Sequence, residues 1–532
     1  MTIADCHPTN TVPGTSRLFA DFCAGEAGAR RFYPMAAEWT NAPARPRHLP
    51  ELVELLAAQN PDAARAEALA ALKAGAGVVV TGQQVGLFGG PLYTALKAAT
   101  AIARARAAAK AGKPHVAVFW LATEDHDFAE IDHVAFPARR ELRTLKYGRA
   151  PEAARPVGGV VLDETIDPLL EQAWELVGFS DAMEALAAAY RPGRTFAQAF
   201  AEFYGKMFAA QGLLVLDAAG RAAHRMGSRV LRAGLEQADE LHAALVERNA
   251  ALVAAGYHAQ VAVGAESSLL FLMDEKTGAR VALKRNTATP AEPKGLWQAG
   301  RTSYSTEELV GILEAEPERI SPSALLRPVF QDELLGTSLT IGGPAEIAYF
   351  AQSAVLFERI LGRMTPAEPR FSATLIEPAV GELLRRHELE PAQLFGETAD
   401  SLAQRLGARA MPVEGKRKLA AAGQALDAEL TPLLEWMQAV DAGLGRSGAT
   451  AASKMRYQMN RLRRLAANFQ LQKEEALKRH AEAICTAIVP GGALQERVHG
   501  AAYYFGRYGL ELAETLTERA AGNCAGHQVV WL

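Results

Sequence analysis

Short apolar runs alternate with helical periodicities along the chain, and this alternation predicts a parallel sheet covered by helices. The runs VVV at 78–80, HVAVFWLA at 115–122 and LLVLD at 213–217 have the length and content of buried strands. A helical pattern at 91–110 connects the first two runs and completes a βαβ unit. The segment SLTIGGPAEIAYFAQ at 338–352 predicts a further strand, a glycine turn and a helix.

Three segments depart from this pattern. The sequence SSLLFLMDEKTGARVALKR at 267–285 alternates apolar and polar residues on both sides of a turn signal, which predicts a β-hairpin. The stretch 286–318 is rich in proline, glycine and charge and is interpreted as a peripheral insertion. Residues 140–195 form a second insertion, irregular at first and helical later.

Residues 413–489 carry apolar residues at alternating spacings of three and four, which predicts two long amphipathic helices. The loop GLGRSGAT at 443–450 is expected to join them into an antiparallel, coiled-coil-like hairpin. Pro432 is expected to kink or break the first of these helices, because proline cannot donate the backbone hydrogen bond of a helix interior.

Composition adds few constraints. The chain has 532 residues, 49% of them hydrophobic, and a formal net charge of −4, which gives no general attraction to nucleic acid or anionic membranes. No signal peptide and no apolar run of about 20 residues are visible. The four scattered cysteines contain no CxxC pair, so a cytoplasmic protein without a disulfide framework is expected.

The first candidate binding motif is VVVTGQQVGLFGGPLYTALK at 78–97. Its glycines permit close backbone approach, and Pro91 suits a helix start whose free N–H groups favour an anion. A tight turn without any ligand is the alternative interpretation. The candidate binding residues here are Thr81, Gly82, Gln83, Gln84, Gly86, Gly90, Tyr93, Thr94 and Lys97.

The second motif, WLATEDHDFAEIDH at 120–133, places a polar cluster where an apolar strand ends. Ligands of open α/β sheets bind at this edge. Thr123 is a candidate binding residue, and the candidate catalytic residues, which could orient or deprotonate a substrate amine, are Glu124, Asp125, His126 and Asp127. The alternatives are Mg²⁺ held by the carboxylates, an N-capping acidic turn, or zinc on His126, Glu130 and His133, which is unfavoured and requires a helix.

The third motif, RPVFQDELLGTSLTIGGPAEIAYFAQ at 327–352, repeats the order of strand, glycine pair, proline and helix. A carboxylate in the first helical turn is stabilised by the helix dipole and could also bind an amine. A purely structural turn is an equal alternative. The candidate residues are Arg327, Gln331, Gly342, Gly343 and Glu346.

These motifs, together with LQERVHGAAYYFGRYG and HQVV near the end of the sequence, closely resemble the bacillithiol-biosynthesis cysteine-adding enzyme family. The resemblance covers essentially the whole chain in the right order. It implies an α/β fold with a Rossmann-like, nucleotidyltransferase-type parallel sheet, inserted connecting-peptide subdomains and an α-helical coiled coil that pairs two subunits.

The activity that the resemblance implies is a ligase reaction that joins L-cysteine to the amine of glucosaminyl-malate. Because a carboxylate is a poor acyl donor, ATP is expected as activator, with Mg²⁺ as an option and zinc not expected. The resemblance also implies a homodimer that pairs through the coiled coil, with neither nucleic acid nor membrane as partner. The alternatives are a related enzyme that activates another small acid, or a non-catalytic scaffold of a thiol-synthesis complex.

The expected organisation divides the core into three parts separated by insertions. The boundaries are a first core part at 1–140, an insertion at 141–195, a second core part at 196–265, an insertion with a hairpin at 266–320, a third core part at 321–380, a helical hairpin at 381–490 and a returning segment at 491–532.

Overall fold

The structure, a computed structural model, describes residues 6–9, 12–34, 39–40, 46–151, 153–285, 296–473, 475–522, 524 and 526–532. The chain divides into two compact units. The first unit comprises Met1–Phe136, Arg143–Thr374 and Glu496–Val530. The second comprises Pro137–Leu142, Leu375–Gln495 and Trp531–Leu532.

The strands are numbered in chain order. They are β1 (Cys6–His7), β2 (Gly77–Gln83), β3 (His115–Leu121), β4 (His133–Pro137), β5 (Leu142–Lys146), β6 (Leu214–Asp217), β7 (Ser267–Met273), β8 (Arg280–Arg285), β9 (Leu296–Ala299), β10 (Thr302–Ser305), β11 (Ile320–Pro322), β12 (Thr337–Gly342), β13 (Ala367–Pro369), β14 (Ser372–Ile376) and β15 (His527–Trp531).

The α-helices are numbered in the same way. They are α1 (Arg17–Ala24), α2 (Ala27–Arg30), α3 (Leu49–Gln59), α4 (Ala66–Lys73), α5 (Leu92–Lys110), α6 (Asp167–Val177), α7 (Asp181–Ala189), α8 (Phe196–Met207), α9 (Arg221–Met226), α10 (Ser228–Glu236), α11 (Ala238–Ala254), α12 (Thr306–Ala315), α13 (Arg327–Leu335), α14 (Pro344–Leu361), α15 (Pro378–Arg386), α16 (Ala399–Ala410), α17 (Val413–Val440), α18 (Ala442–Lys473), α19 (Glu475–Ile488), α20 (Gln495–Val498), α21 (Ala501–Tyr508) and α22 (Leu512–Ala520).

The central sheet of the first unit has the strand order β13-β12-β2-β3-β6, and all neighbouring strands in it are parallel. The chain enters at β2, moves outward through β3 to β6, and then returns to the other side of β2 with β12 and β13. This is the Rossmann order, so the predicted fold class is confirmed. The order reverses between β2 and β12, which makes this crevice the expected ligand site.

Helices cover both faces of the central sheet, as is usual for parallel sheets. Side chains alternate between the two faces along each strand, so neighbouring residues of one strand pack against different helices. On one face Val80 and Trp120 join a buried cluster with Leu56 of α3. On the other face the ring of Phe119 stacks on Tyr204 of α8, with ring centroids 5.3 Å apart. This double covering explains why the strands are apolar throughout.

The predicted β-hairpin is present in a second sheet of the first unit, which has the order β10-β9-β8-β7-β11. β7 and β8 pair antiparallel, with Phe271 opposite Ala282. Residues 286–295 of the predicted insertion lie outside the described residues.

A third sheet joins β1, β15 and β14, with β1 antiparallel to β15. Cys6 and Cys524 form a disulfide beside this pairing. The expectation that the cysteines form no disulfide was therefore wrong. Chain folding brings together two cysteines that lie 518 positions apart, a proximity that their spacing in the sequence cannot reveal.

The second unit is helical and contains the predicted long pair, α17 and α18. The expected loop at 443–450 is wrong, because α18 begins at Ala442 and includes that segment. Asp441 separates the helices, and its carboxylate accepts hydrogen bonds from the N–H groups of Gly443 and Leu444 at 2.7 and 2.9 Å. Gly448 allows close packing instead of a turn, since an added Cβ would lie 2.8 Å from the sulfur of Met437.

Pro432 lies inside α17, which continues through it to Val440, so the expected break does not occur. Among the described residues, the structure has no helix that is both long and apolar enough to cross a membrane.

Candidate functional site

A cavity of about 340 Å³ opens at the carboxyl ends of β2 and β12, where the strand order reverses. It brings together residues from all three sequence motifs. The predicted residues that line it are Gly82, Gln83, Gln84, Tyr93, Lys97, Asp125, Arg327, Gln331, Gly343 and Glu346. Further lining residues include Trp120, Glu130, Tyr349, Phe350, Arg370 and Arg497.

Lys97 joins the first motif to the third. Its ammonium donates to the carbonyl of Gly82 at 2.7 Å and to Oε1 of Gln83 at 2.8 Å, and it pairs with the carboxylate of Glu346. The side chain is only 3% exposed, and burial lowers the pKa of Lys97 although Glu346 opposes the shift. Because a lysine ammonium has three N–H donors, this arrangement engages all of them.

Asp125 and Glu130 form an acidic wall held by one amide. Nε2 of Gln84 donates to Asp125 at 2.6 Å and to Glu130 at 2.7 Å. Burial alone would raise the pKa of Asp125, but hydrogen bonds from Gln84 and from the N–H groups of His126 and Asp127 lower it. The Asp125 carboxylate is therefore ionised at neutral pH.

Arg370 forms part of a cationic wall. Its guanidinium makes a bidentate pair with Glu496, at 2.9 and 2.6 Å, and both side chains are almost fully buried. The pair raises the pKa of Arg370 and lowers that of Glu496, although burial opposes both charges. The Nε of Arg370 is buried and has no hydrogen-bond partner in the described part of the chain.

Gly343 leaves space where three charged side chains converge. A Cβ at this position would lie 3.3 Å from Glu346 Oε2, 3.7 Å from Arg370 Nε and 3.8 Å from Lys97 Cε. The N–H of Gly343 donates to Glu346 at 2.7 Å, so this carboxylate caps α14 as well as pairing with Lys97. A side chain larger than hydrogen would therefore fill the point at which these charges meet.

Arg327 and Arg497 complete the cationic wall with Arg370, and the neutral Tyr349 lines the cavity beside them. Burial disfavours the charge of Arg327, but Tyr349, Glu346 and Asp125 raise its pKa. Burial and the nearby Glu346 raise the pKa of Tyr349 to about 12, so its hydroxyl stays protonated at neutral pH. The cavity thus presents arginines near α13 and α14 and carboxylates after β3, which suits a ligand that carries both charges.

The start of α5 differs from its predicted role as an open anion site. The N–H of Leu92 donates to the carbonyl of His499 at 2.7 Å, and the N–H of Ala501 donates to Gly90 at 2.9 Å. Gly86, Gly90 and Thr94 are buried and do not line the cavity. The segment at 499–501 covers this helix end, a long-range contact that the local glycine pattern does not reveal.

Thr81, Thr123 and Gly342 connect neighbouring strand ends and do not line the cavity. The Thr81 hydroxyl donates to the carbonyl of Ile341 at 3.0 Å, and that of Thr123 donates to Asp217 at 2.6 Å. The carbonyl of Gly342 accepts the N–H of Arg370 at 2.8 Å.

Three of the four candidate catalytic residues also lie outside the cavity lining. Glu124 pairs with His224, with its Oε1 2.9 Å from Nε2. The imidazole of His126 lies against Phe271, with ring centroids 5.8 Å apart, and Asp127 is exposed. Asp125 is thus the member of the cluster that lines the cavity.

The alternative zinc site on His126, Glu130 and His133 required a helix, and the structure does not form one there. A short 3₁₀ turn covers Phe128–Glu130, and His133 begins β4. In the described ranges no group of three or more histidine, cysteine, aspartate or glutamate side chains is arranged to hold a metal ion.

The sequence motifs did not identify Arg370, Arg497, Tyr349 or His224 as site residues. Arg370 directly follows β13, so it occupies the same edge of the sheet as the other motifs. The sequence did not predict a strand before Arg370, because β13 has only three residues and ends in proline. A lone histidine such as His224 carries no sequence signal, since its partner Glu124 lies 100 positions earlier.

Two family models together match almost the whole chain. Residues 4–371 match the model described as bacillithiol biosynthesis BshC, N-terminal Rossmann-like domain. Residues 373–532 match bacillithiol biosynthesis BshC, C-terminal coiled-coil domain. These matches confirm the Rossmann-like and coiled-coil parts of the predicted fold.

Similar proteins are named "Putative cysteine ligase BshC". The one from Koribacter versatilis (strain Ellin345) is 41% identical, and the match covers 99% of both chains. The one from Solibacter usitatus (strain Ellin6076) is 34% identical, again over 99% of both chains. The one from Geobacillus kaustophilus (strain HTA426) is 32% identical over 86% of this chain and 84% of the relative.

Proposed function

The chain belongs to the BshC family of bacillithiol biosynthesis, and from this premise we propose that it is an amide-forming ligase that joins L-cysteine to the amine of glucosaminyl-malate. The observation that carries the proposal is the cavity at the sheet's switch point, which has carboxylates on one side and arginines on the other. Both proposed substrates carry carboxylates, and both carry an amine.

The arginine side would bind substrate carboxylates. Arginine N–H groups match carboxylate oxygens in geometry and charge, and charge-assisted hydrogen bonds of this type are the strong ones. Arg327, Arg370 and Arg497 all line the cavity. The buried Nε of Arg370, which has no hydrogen-bond partner in the described residues, supports a ligand anion at this point.

The acidic side would bind and activate the amine. An amine attacks an acyl carbon only as the neutral base, so a nearby carboxylate that accepts its proton aids the reaction. Asp125 lines the cavity and is ionised at neutral pH, and Glu130 shares the same Gln84 amide. Asp125 is therefore proposed as the residue that orients the attacking amine and accepts its proton.

Activation of the cysteine carboxyl group would use ATP, which supplies the free energy that amide formation from a carboxylate requires. The cationic wall of Arg327, Arg370 and Arg497 fits the phosphates better than the covered start of α5 does. Lys97 would act by fixing Gln83 and Glu346, because its N–H donors are already engaged. Mg²⁺ would accompany the nucleotide. Because ATP is a metabolite of the cell interior, the proposed reaction would take place in the cytoplasm.

A product assay tests the proposal. Purified protein is mixed with L-cysteine, glucosaminyl-malate and ATP, with and without a chelator, and bacillithiol is measured by mass spectrometry together with AMP and ADP. We expect bacillithiol and one nucleotide product in equal amounts. Turnover without a nucleotide would remove ATP from the proposal. Activity with another acid, in place of cysteine, would favour the related-enzyme alternative, and absence of any turnover would favour the scaffold.

The second unit would pair two copies of the chain. Large apolar side chains on α17 and α18 are more than a third exposed, which is typical of a helical surface that another helix covers. They include Leu433, Trp436, Val440, Met455, Leu462, Leu465 and Phe469. Sedimentation of Trp436→Glu should show a monomer. The matched control is Val253→Glu, on the exposed surface of α11, which should remain a dimer.

A further inference from the structure

A buried histidine that does not line the cavity contacts the acidic cluster. His224 lies on α9, which follows β6, and is fully buried. Its Nε2 lies 2.9 Å from Oε1 of Glu124, which follows the neighbouring strand β3. The pair therefore connects two strand ends of the central sheet at the edge that carries the site.

Both nitrogens of His224 face groups that accept hydrogen bonds. Nδ1 lies 3.1 Å from the carbonyl of Pro317 and 3.0 Å from that of Ile320, and a carbonyl oxygen can only accept. Nε2 lies 2.9 Å from the carboxylate of Glu124 and forms an ion pair with it, without a well-directed hydrogen bond. The geometry therefore favours a proton on each nitrogen. Burial opposes the positive charge, but Glu124 and the two carbonyls outweigh it and raise the pKa of His224.

The loop at 123–127 holds Asp125 by several short contacts. The backbone carbonyls of Thr123 and Asp125 accept hydrogen bonds from Gly158 and Val157 at 2.9 and 2.7 Å. Glu124, between them, points away from the cavity to His224. The imidazolium thus anchors the residue directly preceding the carboxylate that lines the cavity.

The other charged groups near this pair are Asp217 and Arg280. Asp217 ends β6, accepts a hydrogen bond from Thr123 at 2.6 Å and interacts with both Glu124 and His224; burial raises its pKa. Arg280 interacts with Glu124 and Asp125 from β8. Arg280 would remain charged next to Glu124 after His224 loses its proton, but its guanidinium already donates to Ser321 and to the carbonyl of Pro322.

The geometry points to His224 as a positioning residue, whose doubly protonated ring fixes Glu124 and thereby holds the 123–127 loop with Asp125 in the cavity. Loss of the ring proton would release this anchor. The inference rests on the proposed function for the role of Asp125, whereas the order of the loop can be measured without turnover.

Hydrogen–deuterium exchange of the full-length protein tests the anchor. Exchange of amides in the 123–127 loop is measured between about pH 6 and about pH 9 and corrected for the intrinsic pH dependence of exchange. We expect the corrected rate in the wild type to rise about tenfold as pH rises through the pKa of His224. In His224→Gln and in Glu124→Gln, the rate should be high and independent of pH.

The matched control is His258→Gln, because His258 is exposed and its imidazole contacts Gln260. This variant should keep the pH dependence of the wild type. If His224→Gln does not fold, the exchange of Glu124→Gln tests the anchor by itself. This variant should fold, because Glu124 is 16% exposed and glutamine keeps its shape. A pH-dependent loop that persists in Glu124→Gln, or a wild-type loop with no pH dependence, would overturn the inference.

Turnover separates this inference from the proposed function. In an active protein, the wild-type kcat should fall as pH rises through the pKa of His224, because the anchor of the loop is then lost. Glu124→Gln should lower kcat by about tenfold to a hundredfold and remove this pH dependence, because a displaced catalytic group loses rate steeply. A wild type without ligase activity would contradict the proposed function, and the exchange measurement would still decide whether His224 holds the loop.

Discussion

The guanidinium of Arg370 binds both carboxylate oxygens of Glu496, although 126 residues separate them in the chain. Glu496 also accepts the N–H of Ala373 at 2.9 Å and the hydroxyl of Ser372 at 3.0 Å. Four donors thus satisfy one buried carboxylate. The returning segment of the chain therefore fixes an arginine that lines the candidate site.

Breaking this pair should destabilise the first unit strongly. Glu496→Gln leaves the buried charge of Arg370 without its counter-charge, and we expect a loss of about 3–5 kcal/mol in the free energy of unfolding. Chemical denaturation measures this. Glu414→Gln is the control, because Glu414 forms an exposed pair with Lys418 and its loss should change stability by less than about 0.5 kcal/mol. Equal effects of the two variants would show that the buried pair is not formed.

Lys97 should matter for activity by organising Gln83 and Glu346. We expect Lys97→Met, which keeps the buried volume, to lower kcat/KM about a hundredfold because two cavity side chains lose their common anchor. Steady-state kinetics with the two proposed substrates measure the change. Lys110→Met is the control on the same helix, since Lys110 is exposed at the end of α5. Similar kinetics for the two variants would contradict the role given to Lys97.

Asp125 and Asp127 should differ sharply, although the sequence places both in one acidic cluster. Asp125→Asn should lower kcat about a hundredfold, because the cavity then lacks the proposed proton acceptor, while Asp127→Asn should stay near wild type. The pKa of Asp125 is lowered from its ordinary value of 3.8, so its protonation should not limit the rate above that pH. A large fall in kcat for Asp127→Asn, with little change for Asp125→Asn, would assign the catalytic role to Asp127 and not to Asp125.

His527 should make the protein sensitive to acid. Burial lowers the pKa of this histidine to about 4, and its ring nitrogens lie 2.8 Å from the hydroxyls of Ser372 and Thr374. Since the folded pKa lies below the unfolded one, this contribution to stability is complete above about pH 6.5 and is lost as pH falls towards 4. The loss amounts to about 3 kcal/mol.

The measurement is the free energy of unfolding at about pH 7 and about pH 4 for the wild type and for His527→Asn. Between these two pH values, the free energy of unfolding should fall by about 3 kcal/mol less in His527→Asn than in the wild type. His258→Asn, an exposed control, should keep the wild-type difference. An unchanged difference in His527→Asn would mean that His527 titrates normally in the folded protein.

The strands of the central sheet could be predicted where they were long and wholly apolar, because burial on both faces leaves a continuous signal. β13 gave no such signal, since Ala367–Pro369 is short and partly polar. The segment at the start of α18 was wrongly predicted to be a loop, because glycine occurs both in loops and at close helix contacts. In GLGRSGAT the glycines serve close helix packing, as at Gly448, whereas the same composition is typical of a loop.

The candidate site, too, could be predicted only in part from the sequence. Gln83 ends β2, and Asp125 and Glu346 follow β3 and β12. Parallel strands bring their carboxyl ends to one edge of a sheet, so the meeting of these residues in one cavity could be anticipated. The covering of the α5 start by residues 499–501 depends on contacts across about 400 positions of the chain, and local patterns contain no information on such contacts.

The bond between Cys6 and Cys524 turns nearly the entire polypeptide into a covalent ring. A protease that cuts one exposed site inside this ring yields two segments that still migrate as a single species until a reductant is added. Electrophoresis of nicked protein, run with and without reductant, would therefore report whether the ring is closed in a given preparation.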